Sequence, residues 1–272
     1  MNPMKFLSKK NNYYIEKSLD IECDSEYTYV FYLVNDLFLD GLLTLIWSLK
    51  KNKTKYPFVC MITEQVSVGA KNSVLDLGVT IIELKQNDLI YSQRTDFTDR
   101  YKNDSWMMFS KLNIFRLTKF KKVVYLDCDI ICLDNCDELF DFKAPAFYHD
   151  PKALDIHNRG ISAGVMVIQP DLGILNSILK NINTKKYGGH TDQSLLQFFY
   201  RNNYNPLPEK YNLLYKVIKR ENRIEVITNK DDAKLLHFNG QKPWISAEEE
   251  MGWEGEKDIA YELYHSIQKD VN

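Results

Sequence analysis

The chain has 272 residues, 44% hydrophobic and 26% charged, with a net charge of −2. That length can bury a substantial core in one large domain, and the composition is ordinary for a water-soluble globular protein. The near-neutral balance gives no reason to expect a nucleic-acid partner, and Lys50-Lys51-Asn52-Lys53-Thr54-Lys55 reads as a solvated helix end.

Residues 1 to 25 are polar and irregular and read as a loose N-terminal arm. Met1 to Lys10 lacks the apolar stretch of about 7–15 residues that a signal peptide needs. Tyr27 to Val34 reads as the first strand, interrupted by Asn35-Asp36. Leu39 to Leu49 follows as a helix with Leu42, Leu45, Ile46 and Leu49 on one face. The window Leu37 to Leu49 is the most apolar of the chain, but Asp40, Gly41, Thr44 and Ser48 break it and it is too short to span a bilayer. Phe58 to Ile62 is a second strand, Ser67 to Leu77 a helix closed by Gly78, and Val79 to Leu84 a third strand. Asp88 to Asp104 reads as a long polar surface loop, and Trp106 to Leu117 as a helix.

The run Lys122 to Leu133 carries the strongest signal. Val123 to Leu126 is a buried strand that delivers Asp127 and Asp129 to its carboxyl end, where α/β sheets bind their ligands. On an extended chain the two carboxylates would point the same way, and hard oxygens of this kind suit Mg²⁺ or Mn²⁺ and, through the ion, a phosphate. A solvated turn would explain the same tripeptide. Cys128, Cys132 and Cys136 recur every fourth residue without a C-x-x-C pair, so zinc is not expected. An odd total of five cysteines argues for reduced thiols and an intracellular setting.

Further along, Ala146 to Tyr148 and Gly164 to Ile168 read as strands, and Leu172, Leu175, Leu179 and Ile182 mark a helix face. Thr191 to Tyr200 is another helix, raised on Gly188-Gly189 with Asp192 and Gln193 in its first turn. Gly160-Ile161-Ser162-Ala163-Gly164 would let a ligand lie against the backbone, and would equally suit a tight turn into a core strand. In His237-Phe238-Asn239-Gly240-Gln241-Lys242, an apolar pair leads to an imidazole, then a permissive glycine and a cation. The predicted architecture is a single α/β domain over residues 26–245, with a mostly parallel, Rossmann-like sheet, helices on both faces and a mixed second lobe. Residues 246–272 are expected to form a peripheral helix or tail.

Taken in order, these segments resemble a known family. Asn35-Asp36 with Gly41, Ser110-Lys111-Leu112, Val124-Tyr125-Leu126-Asp127-Cys128-Asp129 and His149-Asp150-Pro151 are followed by Ser162-Ala163-Gly164-Val165 and Asp192-Gln193. Leu207-Pro208 with Tyr211-Asn212-Leu213, and His237-Phe238-Asn239-Gly240 with Lys242-Pro243-Trp244, complete the set. The chain is similar to glycogenin-type members of glycosyltransferase family eight, retaining nucleotide-sugar transferases of the GT-A fold. The resemblance implies that Asp127, Asp129 and His237 bind Mn²⁺ (Mg²⁺ as substitute), and that Lys242 and Gly240 contact the diphosphate of a UDP-sugar, UDP-glucose by preference. It further implies Lys111 and Arg100 at the donor, Asn35, Phe38 and Cys128 along the nucleotide, and Asp150, Ser162, Ala163, Gly164, Asp192 and Gln193 around the sugar, with Asp192, Gln193 and Lys111 in the chemistry. A glycan or protein acceptor is implied, and a homodimer is suggested.

The chain departs from the family pattern at Ser162, where Asn is usual, and near Gly189, where another acid often stands. The self-glucosylated Tyr of glycogenin would fall on Lys219, with Tyr215 nearby but out of register, which favours another acceptor. Two other readings remain open on sequence: a nucleotide-sugar binder that has lost turnover, and a phosphatase of the haloacid dehalogenase type, which Leu126-Asp127-Cys128-Asp129 superficially resembles.

Overall fold

The computed structural model describes residues 14–94, 96, 105–150, 160–201, 203–245 and 258–271. Its centre is β1 (Tyr27–Leu33), in which Tyr29, Phe31 and Leu33 face one layer of helices while Val30 and Tyr32 face the other. Side chains alternate along a strand, so covering both faces requires an unbroken apolar run. β1 lies parallel to β2 (Phe58–Ile62) on one side and to β4 (Lys122–Leu126) on the other, and β3 (Thr80–Glu83) extends the sheet beyond β2. β7 (Gly160–Ile168) is antiparallel to β4, β6 (Ala146–Asp150) is antiparallel to β7, and β8 (Asn205–Leu207) completes the order β3-β2-β1-β4-β7-β6-β8.

One face is covered by α1 (Leu39–Lys51), through Leu42, Leu45, Ile46 and Leu49, and by α2 (Val68–Asp76), whose N-cap is Ser67. The other carries α3 (Ser105–Phe109), α4 (Leu172–Leu179) and α5 (Asp192–Tyr200). The strand order diverges between β1 and β4, and the crevice at such a divergence is where doubly wound sheets place ligands. Asp127, the residue after β4, stands at this point.

A second, three-stranded sheet sits beside the crevice. β5 (Ile130–Cys132) pairs antiparallel with β10 (Leu235–His237), which lies parallel to β9 (Leu213–Leu214). Ser48 on α1 fastens it, its Oγ accepting from Cys132 N at 2.9 Å. α6 (Tyr215–Arg220) follows β9 directly.

One expectation is corrected. Trp106–Leu117 is not one helix: α3 gives way to a 3₁₀ segment over Ser110–Arg116. Within it Asn113 Nδ2 donates back to Ser110 O and across to Asp88 O, both at 2.9 Å, and such bonds compete with α-helical pairing. Asp127 and Asp129 stand, as expected, at the carboxyl end of β4, where Cys128 and Asp129 form a turn into β5. Residues 14–25 are irregular and carry few but long-range contacts. Ile15 exchanges two hydrogen bonds with the Asn176 amide, Leu19 N donates to Arg116 O at 3.0 Å, and Ile15, Leu19 and Ile21 pack on the core. The C-terminal helix α7 (Ile259–Lys269) docks through Tyr264, which is fully buried, with its ring 5.7 Å from Trp244 and its hydroxyl 3.2 Å from Thr44 Oγ1. No helix among the described residues is long and apolar enough to cross a membrane.

Candidate active site

The turn after β4 turns Asp127 and Asp129 toward the crevice and Cys128 toward the core, where its thiol donates to Tyr32 O at 3.2 Å. His237 arrives from the second sheet at the end of β10, opposite Ile130. One ligand atom from each of Asp127, Asp129 and His237 lies within 4.8 Å of the others. Two carboxylates and an imidazole suit a hard divalent ion, and the averted thiol removes the soft ligand that would favour zinc. The residues present therefore fit the ion that the sequence implied.

Each carboxylate has further partners. Tyr125, buried on β4, donates its hydroxyl to Asp127 Oδ1 at 2.7 Å. Burial pushes that phenol well above its ordinary pKa, and the Asp127 charge adds to the shift, so Tyr125 remains a donor. Lys111 projects from the 3₁₀ segment to Asp192 Oδ2 at 2.6 Å, Asp127 Oδ1 at 3.3 Å and Ala163 O at 3.3 Å. Burial alone would lower the Lys111 pKa, but the Asp127 and Asp192 carboxylates outweigh it and raise it, which keeps the ammonium charged. Lys242 bonds Asp129 Oδ2, and also donates to Phe238 O at 2.8 Å. Burial would raise the Asp129 pKa, yet His237 and Lys242 hold it well below the usual carboxylate range.

β7 forms the floor. Its register with β6 slips so that Phe147 and Tyr148 pair with Met166 and Ser162, leaving Ala163 to Val165 as an irregularity. Such bulges re-aim backbone near functional sites. Here Ala163 N donates to Gln193 Oε1 at 3.2 Å, Ile161 N to Gln197 Oε1 at 2.6 Å, and Gly164 O accepts from Asp127 N at 2.9 Å. These bonds tie α5, with Asp192 in its first turn and Thr191 as its cap, to the strand beneath. Arg94 secures the approach to α5 by donating to Gly189 O at 2.7 Å and gripping Asp96 with two nitrogens at 2.9 and 2.8 Å.

Glycine is required at Gly164 by close approach and at Gly240 by its backbone conformation. A Cβ on Gly164 would lie 2.3 Å from His237 Cε1 and 3.3 Å from Asp127 Oδ2. Gly240 has φ +132°, and a Cβ there would lie 1.9 Å from Lys216 Cε. The loop from Phe238 onward ends at Trp244, whose indole donates to Leu37 O at 2.9 Å and lies over Gly41. Phe38 stands beside it, half-buried, ring centroids 6.3 Å apart.

Asp127, Asp129, His237, Lys111, Asp192, Gln193, Ala163, Gly164 and Lys242 are thus joined by direct contacts, and Ser162 reaches His237 through Asn212. Asn35 stands apart, its side chain capping the turn at Leu37 N. Arg100 lies outside the described residues, and Asp150 is placed only by its backbone, opposite Gly160 at the end of β6. Tyr125 and Asn212 had no assigned role in the sequence. The first looked like strand filler, and the second was one letter of a longer motif.

The layered sheet with its acidic strand-end turn belongs to the GT-A class of glycosyltransferases. Solved structures with that fold include the bifunctional glycosyltransferase WbbM, with a TM-score of 0.68 at 17% identity over 95% of this chain and 52% of that one. Another is the galactosyltransferase LgtC, with a TM-score of 0.60 at 13% identity over 89% and 95%. The chain belongs to glycosyl transferase family 8, whose family model matches residues 29–248. Its relatives include glycogenin of Neurospora crassa, 31% identical over 81% of this chain and 32% of that protein. Galactinol synthase 2 of Arabidopsis thaliana is 26% identical over 78% and 72%. An uncharacterized mimivirus protein, R707, is 27% identical over 81% and 83%.

Proposed function

We propose that this glycosyltransferase moves a hexose, glucose by preference, from a UDP-sugar to a separate glycan or protein acceptor, with retention at the anomeric carbon and with the help of Mn²⁺ or Mg²⁺. The observation that carries the proposal is the convergence of Asp127, Asp129 and His237 within 4.8 Å, flanked by Lys111, Asp192 and Lys242. In this reading Asp127, Asp129 and His237 hold the ion, which when bound neutralises charge on the departing diphosphate. Lys242 and the Gly240 backbone meet the same phosphates, and Lys111 stays protonated beside them, so leaving-group charge develops among fixed cations. Asn35, Phe38 and the Cys128 backbone face the nucleoside, and Arg100 adds to the donor site. Asp150, Ser162, Ala163, Gly164, Asp192 and Gln193 surround the sugar. Asp192, oriented by Lys111, is the carboxylate placed to steady positive charge on the anomeric carbon.

Lys219 occupies the position where the self-glucosylated tyrosine was expected, and Tyr215 is 3% exposed with its hydroxyl 2.5 Å from Asp258 Oδ2. Both observations support an acceptor outside this chain. The phosphatase reading falls with family membership, and the acidic turn follows the fourth strand, not the first.

The test is UDP release from a panel of UDP-sugars with Mn²⁺. Release from one donor, lost with EDTA and in Asp127→Ala/Asp129→Ala, is the expected result. UDP binding by calorimetry with no release from any donor, across a panel of acceptor sugars, would favour the non-catalytic binder. Tyr125→Phe leaves Asp127 short of one donor. It should weaken Mn²⁺ binding by about tenfold, the lower end for an outer partner of a ligand, and cost about 1 kcal/mol of stability. Equilibrium dialysis with Mn²⁺ and a thermal melt check the two effects separately.

A further inference from the structure

We infer that Asn212 is a positioning residue for His237, held in that role by Ser162; the inference rests on the ion-binding reading above. Asn212 is fully buried, just before β9. Backbone pairing of β9 with β10 sets Leu214 opposite His237, but it does not fix the rotation of the imidazole ring. The Asn212 side chain supplies that constraint. Its Nδ2 donates to Ser162 Oγ at 2.9 Å, which leaves Oδ1 facing His237 Nδ1, also at 2.9 Å. An amide oxygen only accepts, so Nδ1 carries a hydrogen whether or not Nε2 does. The other nitrogen, Nε2, is directed at Asp129 Oδ1 at 3.2 Å, and an imidazole with its hydrogen on Nδ1 offers Nε2 as the ligand.

The contact also crosses the architecture. Ser162 belongs to the seven-stranded sheet and His237 to the three-stranded one, while Asp127 is tied to the larger sheet through Gly164 O. The three acid and imidazole ligands therefore come from both sheets, and Asn212 links those sheets by side-chain bonds beside the ligands. This gives Ser162, the departure from the family's usual Asn, a structural task. Its oxygen accepts from Asn212 and so fixes which end of the amide faces His237.

The experiment measures Mn²⁺ affinity of the full chain without donor, by the electron paramagnetic resonance of free Mn²⁺, for wild type, Asn212→Leu, Asn212→Asp and Ser162→Ala. Asn212→Leu should bind about 10–100-fold more weakly, the usual cost of losing a partner behind a ligating histidine. Asn212→Asp keeps an oxygen acceptor for Nδ1–H and should stay within about threefold of wild type, because carboxylates serve the same purpose behind ligating histidines. Ser162→Ala should fall between. A folded Asn212→Leu chain with wild-type affinity overturns the inference, as does Asn212→Asp losing as much as Asn212→Leu. If Asn212→Leu does not fold, weakening in Ser162→Ala with retention in Asn212→Asp supports it, and the reverse pattern overturns it. Wild type that binds no Mn²⁺ overturns the ion-binding reading along with it, a result distinct from the others.

Discussion

Gly164→Ala is expected to abolish Mn²⁺ binding over any practical concentration range, a loss of at least about 100-fold, beyond the usual cost of disturbing a ligand's surroundings. The added methyl would lie 2.3 Å from His237 Cε1 and 2.7 Å from Nδ1, so one partner must move. Neither side yields easily. Gly164 is clamped by Asp127 N on its carbonyl, and His237 is 6% exposed, paired on both sides of β10 and bonded to Asn212. Overpacking of this kind costs about 1–3 kcal/mol of stability, so the variant should fold and melt several degrees lower. Gly69→Ala is the control: it lies in α2, its nearest neighbour would be Ser67 Oγ at 3.9 Å, and alanine there should be neutral or stabilising by up to about 1 kcal/mol. Dialysis against Mn²⁺ and parallel melts separate the two glycines; equal ion binding in both variants would show that the gap between Gly164 and His237 is not part of an ion site.

The contrast between those glycines shows what a sequence can and cannot say. Phe58–Ile62 was legible to the residue because a strand buried on both faces must be apolar throughout, and Asp127 and Asp129 stood out as acids placed at the end of an apolar run, whereas His237 and Lys242 gained a role only through the family resemblance. Gly164 was legible only as a permissive letter, since its reason is the ring of a residue far along the chain. The same holds for β5, three residues whose partner β10 lies about a hundred positions away and leaves no local periodicity. Tyr125 alternated with its neighbours like any core residue, and only its distance to Asp127 gives it a purpose.

Where local pattern misled, side-chain hydrogen bonds had overridden it. The heptad-like spacing of Met108, Leu112 and Phe115 suits an α-helix, yet Ser110 Oγ accepts from Ile90 N at 3.0 Å and Asn113 reaches Asp88 O, drawing the segment into 3₁₀ turns. The acidic turn likewise owes its convergence to Cys128 folding inward onto Tyr32 O, which rotates both flanking carboxylates toward the crevice. The two irregular segments meet, because the altered helix presents Lys111 to the carboxylate that the turn presents.

Lys111→Met is expected to remove both activity and a large part of the stability. Lys111 is 9% exposed at its side chain, and its ammonium is the shared partner of Asp192 and Asp127. Deleting one member of a buried charge cluster leaves the others uncompensated and costs about 3–5 kcal/mol, against less than about 1 kcal/mol for an exposed pair such as Lys51–Asp270. For a chain of this size the melting temperature should fall by about 2–4 °C per kcal/mol. The pH dependence carries the sign. The folded Lys111 pKa is raised, so the wild-type contribution is fully present below the unfolded value of about 10.4 and is lost only as pH rises through the folded one. Between pH 5 and 8 the wild-type melting temperature should therefore show no slope from Lys111. Turnover should drop by about 100–1,000-fold at saturating Mn²⁺, the scale for removing one preorganised charge from a reacting centre. A loss confined to melting with kcat unchanged would assign Lys111 to packing alone; loss of both would place it at the electrostatic centre of the transfer.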